Sequence, residues 1–256
     1  MKVSAIVLAG APNSGKLSEI SAEAHEALIP LEGRPLVDWV VEALAASSTV
    51  EEIIVVGPKD ELSRRLGANW PHEGKLIQAT DSLLGNMQLG GQAAEEEHLL
   101  VVTADIPLLR PQTVDKFMAR SLETGASICY PIVSEEDTIS MFPHGKRTFI
   151  KLKDGTFTGG NIIYMERENL AGTSQLFGQV IAARKKPWQL VKILGSSFIF
   201  SFLFRQLTIS RIEARARELG ISARGIIMEE AEIGFDVDKP QDLAAIESAL
   251  EDFRQQ

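Results

Sequence analysis

Short, almost unbroken apolar runs alternate with helical periodicity along the first half of the chain. Ser4 to Leu8 is one run, ending in Ala9-Gly10, and Ile53 to Val56 is another, closed by Gly57-Pro58. Leu99 to Val102 ends at Thr103-Ala104-Asp105, and Ala126 to Val133 reads as a further strand. Between them, Pro35 to Leu44 places Leu36, Val37, Val40, Val41 and Leu44 at helical spacing. Asp60 to Leu66 predicts a short helix and Pro111 to Leu122 a longer one. Strands that are apolar throughout are covered on both faces, so the pattern predicts an α/β fold: a Rossmann-like, three-layer α/β/α arrangement around a mostly parallel sheet. Ligands in such sheets lie outside the carboxyl ends of the strands. Gly10 and Asp105 fall at two of those ends.

The second half is less regular. Thr158-Gly159-Gly160-Asn161 precedes an apolar segment, Ile162 to Met165. Ser210-Arg211-Ile212-Glu213 fits a capping box for a helix stopping near Gly220. Gly234-Phe235-Asp236-Val237-Asp238 reads as a strand end. Pro240 to Phe253 closes the chain as an amphipathic helix, with Leu243, Ile246, Ala249 and Leu250 on one face. The organisation expected is one domain over 1–256, with a helical hydrophobic insertion at 184–222. Within it, Trp188 to Leu207 is strongly apolar, but its core, Ile193 to Phe204, is shorter than the about 20 residues a bilayer span needs. Three readings stand: a helix covering the sheet, a self-association surface of a homodimer, or peripheral contact with a membrane or an apolar acceptor. Lys185, Lys186, Lys192 and Arg205 flank the stretch as interfacial cations do.

Composition narrows the function classes. A formal charge of −9 disfavours nucleic acid as a partner, because displacing its counterions needs basic surface. It does not disfavour a nucleotide, which a local nest of N–H groups and a metal can hold. The one cysteine, Cys129, lies in an apolar run and reads as buried filler. Met1-Lys2-Val3 leads straight into strand-like sequence, so the cytoplasm is the expected location.

The loop Gly10-Ala-Pro-Asn-Ser-Gly15-Lys16 brings backbone N–H groups and one cation to a strand end, which suits phosphates. It fits only part of a P-loop: Leu17 stands where a magnesium-ligating Ser or Thr belongs. An ordinary surface turn is the alternative. Asp105 either ligates magnesium or caps the helix near Pro111. Asp236 and Asp238 alternate in extended chain, so both carboxylates can share a face. If that face meets Asp105, the three make an oxygen-rich Mg²⁺ site, although Asp238 also suits a cap for the last helix.

Four blocks in order then carry a resemblance: Leu8-Ala9-Gly10, Ala27-Leu28-Ile29-Pro30-Leu31-x-Gly33-Arg34-Pro35-Leu36, Ala104-Asp105-Ile106-Pro107 and Asp236-Val237-Asp238-Lys239-Pro240-Gln241-Asp242-Leu243. The chain resembles the MobA-like nucleotidyltransferases of the GT-A-like fold, and within them molybdenum-cofactor guanylyltransferase and methylerythritol-phosphate cytidylyltransferase. The resemblance implies a Mg²⁺-dependent enzyme. An acceptor phosphate attacks the α-phosphate of a nucleoside triphosphate, CTP or GTP before ATP, and pyrophosphate leaves. It assigns nucleotide binding to Leu8, Ala9, Gly10, Ala11, Asn86 and Ala104, and catalysis to Asp105 and Asp238; Lys16, the one cation in the loop, is the candidate for nucleotide binding and catalysis in place of the family's arginine. Metal ligation falls to Asp105, Asp236 and Asp238, and contact with a small phosphorylated acceptor to Gly160, Asn161 and Lys186. For Asn86 a helix start packed on the sheet is the alternative, for Gly160-Asn161 a hairpin turn, and for Lys186 a solvated basic patch.

The chain departs from the family pattern at the loop. Ala11 replaces a second glycine, no arginine lies between Gly10 and Arg34, and Glu26 stands where the family carries a lysine on the phosphates. A carboxylate there repels a triphosphate unless it faces away or binds metal. A nucleotide-binding or regulatory protein without turnover is therefore the second reading. A glycosyltransferase using a nucleotide sugar is the third, although its Asp-x-Asp metal pair is absent at Asp105.

Overall fold

The computed structural model describes residues 2–66, 74–143, 145–171, 178–179 and 187–255. Its strands are β1 Val3–Leu8, β2 Pro30–Leu31, β3 Arg34–Pro35, β4 Val50–Gly57, β5 Lys75–Gln78, β6 His98–Thr103, β7 Ile128–Ser134, β8 Ile150–Leu152, β9 Gly155–Gly159, β10 Ile162–Glu166 and β11 Ala223–Met228. Its helices are α1 Leu36–Ala45, α2 Lys59–Leu66, α3 Leu83–Ala93, α4 Pro111–Glu123, α5 Glu135–Met141, α6 Glu168–Ala171, α7 Pro187–Leu194, α8 Ser196–Leu203, α9 Ile209–Glu218 and α10 Pro240–Gln255.

Nine strands form one sheet in the order β5-β4-β1-β6-β10-β7-β9-β8, with β11 along the other side of β7. β10 and β9 run against the rest, so the sheet is mixed but mostly parallel. β1 shows why its sequence is continuously apolar. Val3, Ala5 and Val7 enter one core with α1, α4 and α10, whereas Ile6 and Leu8 enter the other, against Met87 of α3. α3 packs unusually close: a Cβ on Gly90 would stand 2.4 Å from Ile6 Cγ2. That proximity explains Gly90, while Gly91 lies against Leu170 and Gly85 against Thr80, so each of three glycines in an eleven-residue helix of poor intrinsic propensity has a close neighbour.

β4 and β5 build outward from β1 on one side, and β6 returns to the other. The reversal falls between the carboxyl ends of β1 and β6, where Leu8 is in register with Thr103. This is the crevice position of doubly wound sheets.

Two local readings of the sequence are corrected. α9 is capped by Thr208, whose side chain accepts from the Arg211 N–H, and not by Ser210. Glu213 cannot close a box there because its carboxylate binds Arg224 and the Gly225 N–H. Residues 235–238 are no strand end either: a 3-10 turn, Ala231–Gly234, precedes them and β11 has already ended at Met228. Of the stretch 184–222, residues 184–186 lie outside the described residues and the remainder holds α7, α8 and α9.

Candidate active site

The loop after β1 is closed by its own side chains. Asn13 donates through Nδ2 to the carbonyls of Ser21 and Glu23 at 3.1 and 2.9 Å, and Pro12 bridges to His25. Gly10 fits where it does because a Cβ would lie 2.6 Å from the Ala79 side chain. Leu17 is fully buried in a 3-10 turn, Lys16–Glu19, so the loop lacks the strand–loop–helix form of a P-loop. Lys16 is exposed on that turn, and Ala11 is exposed beside Gly10. Glu26 is placed against the same loop: its backbone N–H donates to the Ala11 carbonyl at 3.1 Å. Leu8 and Ala104 are joined directly, the Ala104 N–H donating to the Leu8 carbonyl at 3.2 Å.

Asp105 follows β6 in a turn. It is not a helix cap, since α4 begins at Pro111 behind Arg110, with no capping side chain. The distant acids arrive by a different route. Glu232, wholly buried, accepts from Arg110 Nε at 2.8 Å and from the Thr113 hydroxyl at 2.5 Å, which pins the Ala231–Gly234 turn to the start of α4. The chain then runs past β6, and the Val237 N–H donates to the Asp105 carbonyl at 2.9 Å. One carboxylate oxygen each from Asp105, Asp236 and Asp238 consequently lies within 4.8 Å of the others. Asp238 is exposed, Asp105 half-buried and Asp236 buried. The capping arm at the start of α10 comes from Asp242, which accepts from the Asp238 N–H at 3.0 Å.

A residue that the sequence reading did not single out completes the cluster. Arg147, with a side chain only 7% exposed, donates to the Asp236 carboxylate and to the Asp236 carbonyl. Its guanidinium lies 3.9 Å from the centre of the Phe235 ring, on which Phe142 also stacks at 3.8 Å. Gly145 permits this approach, because a Cβ there would meet Phe235 Cε2 at 2.4 Å. The signal available in sequence was weak: a short basic run, His144-Gly145-Lys146-Arg147, after an aromatic. Arg147 neutralises part of a charge that three close carboxylates could not otherwise bear.

The donor set fits a hard divalent cation. Magnesium takes oxygen ligands at about 2.0–2.1 Å, so oxygens on one ion lie up to about 4.2 Å apart, close to the observed spacing. Asp236 is at the same time engaged by Arg147.

Gly160-Asn161 is the hub between the two arms, not a hairpin turn. The Asn161 carbonyl accepts from the Thr103 N–H at 3.1 Å, and its N–H donates to the Ile233 carbonyl at 2.9 Å. Tyr130 donates its hydroxyl to the Gly160 carbonyl at 2.8 Å, and a Cβ on Gly160 would strike Pro131. Asn161 and Thr103 line a cavity of about 20 Å³ with Leu8, Leu83 and Met87, room for roughly one water. The Thr103 Oγ1 is buried without a hydrogen-bond partner among the described residues. Asn86 is buried, and its side chain is committed to the Thr80 backbone and hydroxyl. Lys186 lies outside the described residues. A larger cavity of about 820 Å³, lined by Gln88, Glu97, His98 and Arg167, holds none of the candidate residues. Cys129 is buried and its thiol is pushed up by that burial, as expected of an inert core cysteine.

A family model described as a MobA-like NTP transferase domain matches residues 5–219. A structure described as a hypothetical transferase from Thermus thermophilus superposes with a TM-score of 0.80 at 33% identity, over 95% of this chain and 100% of that one. Among curated proteins, the bifunctional protein GlmU of Geobacter metallireducens is 27% identical over 129 residues, 49% of this chain and 26% of its own. A probable molybdenum cofactor guanylyltransferase of Thermococcus gammatolerans is 28% identical over 106 residues, 41% of this chain and 52% of its own. The chain thus spans about a quarter to a half of the length of these curated relatives.

Proposed function

The chain belongs to the MobA-like NTP transferase family, and on that premise we propose that it transfers a nucleoside monophosphate from CTP or GTP to a small phosphorylated acceptor, releasing pyrophosphate. The observation that carries this reading is the gathering of Asp105, Asp236 and Asp238 at the crevice between β1 and β6. In this scheme the Gly10–Ala11 amides and Lys16 hold the triphosphate, and Asp105 and Asp238 hold Mg²⁺. The ion supplies charge neutralisation across the phosphates when bound. Asn161 and Lys186 orient the acceptor. A phosphate oxygen of the acceptor forms a bond to the α-phosphorus as the α–β bridging P–O bond breaks, and the electron pair leaves with pyrophosphate. Alignment and charge compensation are most of what such a transfer requires of a protein. GTP gains support from the guanylyltransferase relative. CTP rests on the sequence resemblance.

One observation favours a second reading, nucleotide binding without turnover: Glu26, a carboxylate where the family has a lysine, is hydrogen-bonded through its backbone to the same loop. A pyrophosphate-release assay with each of the four NTPs and a pool of phosphorylated metabolites separates the two. Release with CTP or GTP is expected. Binding without release under every pairing supports the second reading. Release of a nucleoside diphosphate from a nucleotide sugar with Mn²⁺ indicates glycosyl transfer.

A further inference from the structure

α7 and α8 fold as a pair, Trp188 of the first meeting Phe202 of the second edge-on with ring centres 5.1 Å apart. Phe198 turns inward and packs with Leu207 against Leu152, Phe202 and Ile212, anchoring the pair to β8 and α9. Phe200, Leu203, Phe204 and Trp188 remain 63%, 54%, 72% and 50% exposed. Isolated exposed apolar residues are ordinary, but four large ones on one helical pair are not. No helix among the described residues is long and apolar enough to cross a membrane. The two helices are instead joined at Gly195, whose φ of +112° favours glycine.

The charge around this patch opposes that of the whole chain. Residues 187–220 carry Lys192, Arg205, Arg211, Arg215 and Arg217 against Glu213 and Glu218, a net +3 within a chain of −9. Arg215 pairs with Glu218 at 2.8 Å, and Arg211 is held on α8 itself, donating to the Ser201 hydroxyl at 2.7 Å with its guanidinium 5.1 Å from the Phe198 ring centre; Lys192, Arg205 and Arg217 have no ion pair among the described residues. Arg205 occupies the left-handed region, φ +53°, immediately beyond α8, a position where glycine would be unstrained. Two copies meeting through this face would oppose cation to cation across the symmetry axis. A negatively charged apolar boundary satisfies both features.

We propose that the α7–α8 pair seats this protein on an anionic lipid surface. Phe200, Leu203, Phe204 and Trp188 enter the headgroup–acyl boundary, and Lys192, Arg205 and Arg217 face the headgroups. The inference is independent of the nucleotide chemistry. Flotation of the chain with phosphatidylcholine vesicles, and with an equal mixture of phosphatidylcholine and phosphatidylglycerol, tests it. The protein floats with the mixed vesicles, remains behind with the neutral ones, and is released by high salt. Phe200→Ser with Phe204→Ser lowers partitioning at least about tenfold while leaving the thermal melt unchanged, since both rings are already exposed. Lys192→Glu with Arg205→Glu removes the preference for anionic vesicles. Absence of flotation with either vesicle, or undiminished flotation of the phenylalanine variant, overturns the proposal. So does conversion of a dimer to monomer by that variant with lipid binding unchanged, which would assign the face to a second copy.

Discussion

The backbone N–H of Val237 donates to the carbonyl of Asp105 across 2.9 Å, joining two stretches separated by about half of the chain. Because Asp236 and Asp238 flank Val237, this bond brings their carboxylates to Asp105, with Arg147 holding that of Asp236. The site is therefore a property of the sheet edge and the 231–238 segment together.

If Asp105 and Asp238 hold the cation, neutralising either carboxylate removes charge stabilisation at the phosphates. Asp105→Asn and Asp238→Asn should each lower kcat/KM about 10²–10³-fold, or about 2.7–4 kcal/mol of transition-state stabilisation. Steady-state kinetics at saturating magnesium checks this. Undiminished turnover in Asp105→Asn removes it from the ligand set.

Arg147 and Asp236 form a buried pair. Arg147→Met takes the guanidinium away from a buried carboxylate, a loss of about 3–5 kcal/mol in unfolding free energy. Millimolar magnesium should restore part of it, because a cation beside Asp236 replaces the guanidinium charge. Denaturant melts with and without magnesium measure both effects, and a midpoint that ignores the metal contradicts the shared site.

The Glu26 backbone is bound to the Ala11 carbonyl, and the sequence resemblance puts a phosphate-binding lysine at this position, so Glu26→Lys tests whether the side chain faces the nucleotide. Triphosphate affinity should tighten about tenfold, or about 1.4 kcal/mol. Calorimetry reads it directly. Weaker or unchanged binding would mean that this side chain does not face the nucleotide.

Gly90→Ala separates two opposing effects. Helix propensity favours alanine by about 1 kcal/mol, but its Cβ would stand 2.4 Å from Ile6 Cγ2. Overpacking costs about 1–3 kcal/mol, so the variant should be less stable on balance. A raised melting temperature would show that α3 can move away from β1.

At the opposite end of the sheet, burial acts to raise the Glu52 carboxyl. The Glu95 N–H, the Ser4 hydroxyl and Lys75 outweigh it and hold the carboxyl below its ordinary value. A depressed carboxyl contributes stability that is full above its unfolded pKa, about 4.3, and lost as pH falls through the folded one. Glu52→Gln should be less stable at neutrality and show a shallower decline in acid. Urea midpoints taken from neutrality downward check this, and parallel curves for the two proteins would contradict it.

The strands that carry the site were legible because burial on both faces leaves continuous apolar runs, as in β1, β4 and β6. β5, β8 and β9 were not: they are short and mostly partly exposed, and Asp154-Gly155 was the cue for the β8–β9 hairpin. Asp236 and Asp238 converge with Asp105, but the expected route, a strand end, was wrong. An irregular segment held by Glu232, Arg110 and Thr113 delivers them, and contacts between α4 and residue 232 leave no periodicity to read. Arg147 escaped for the same reason. Its partner is 89 residues away, and only the folded chain brings them together.

The most direct test is calorimetric titration of CTP and GTP into the protein with magnesium and with excess chelator, repeated on Asp105→Asn. The account predicts that chelation weakens binding of at least one nucleotide about a hundredfold in the parent, about 2.7 kcal/mol, and changes little in the variant. Equal affinities with and without magnesium in the parent would contradict it.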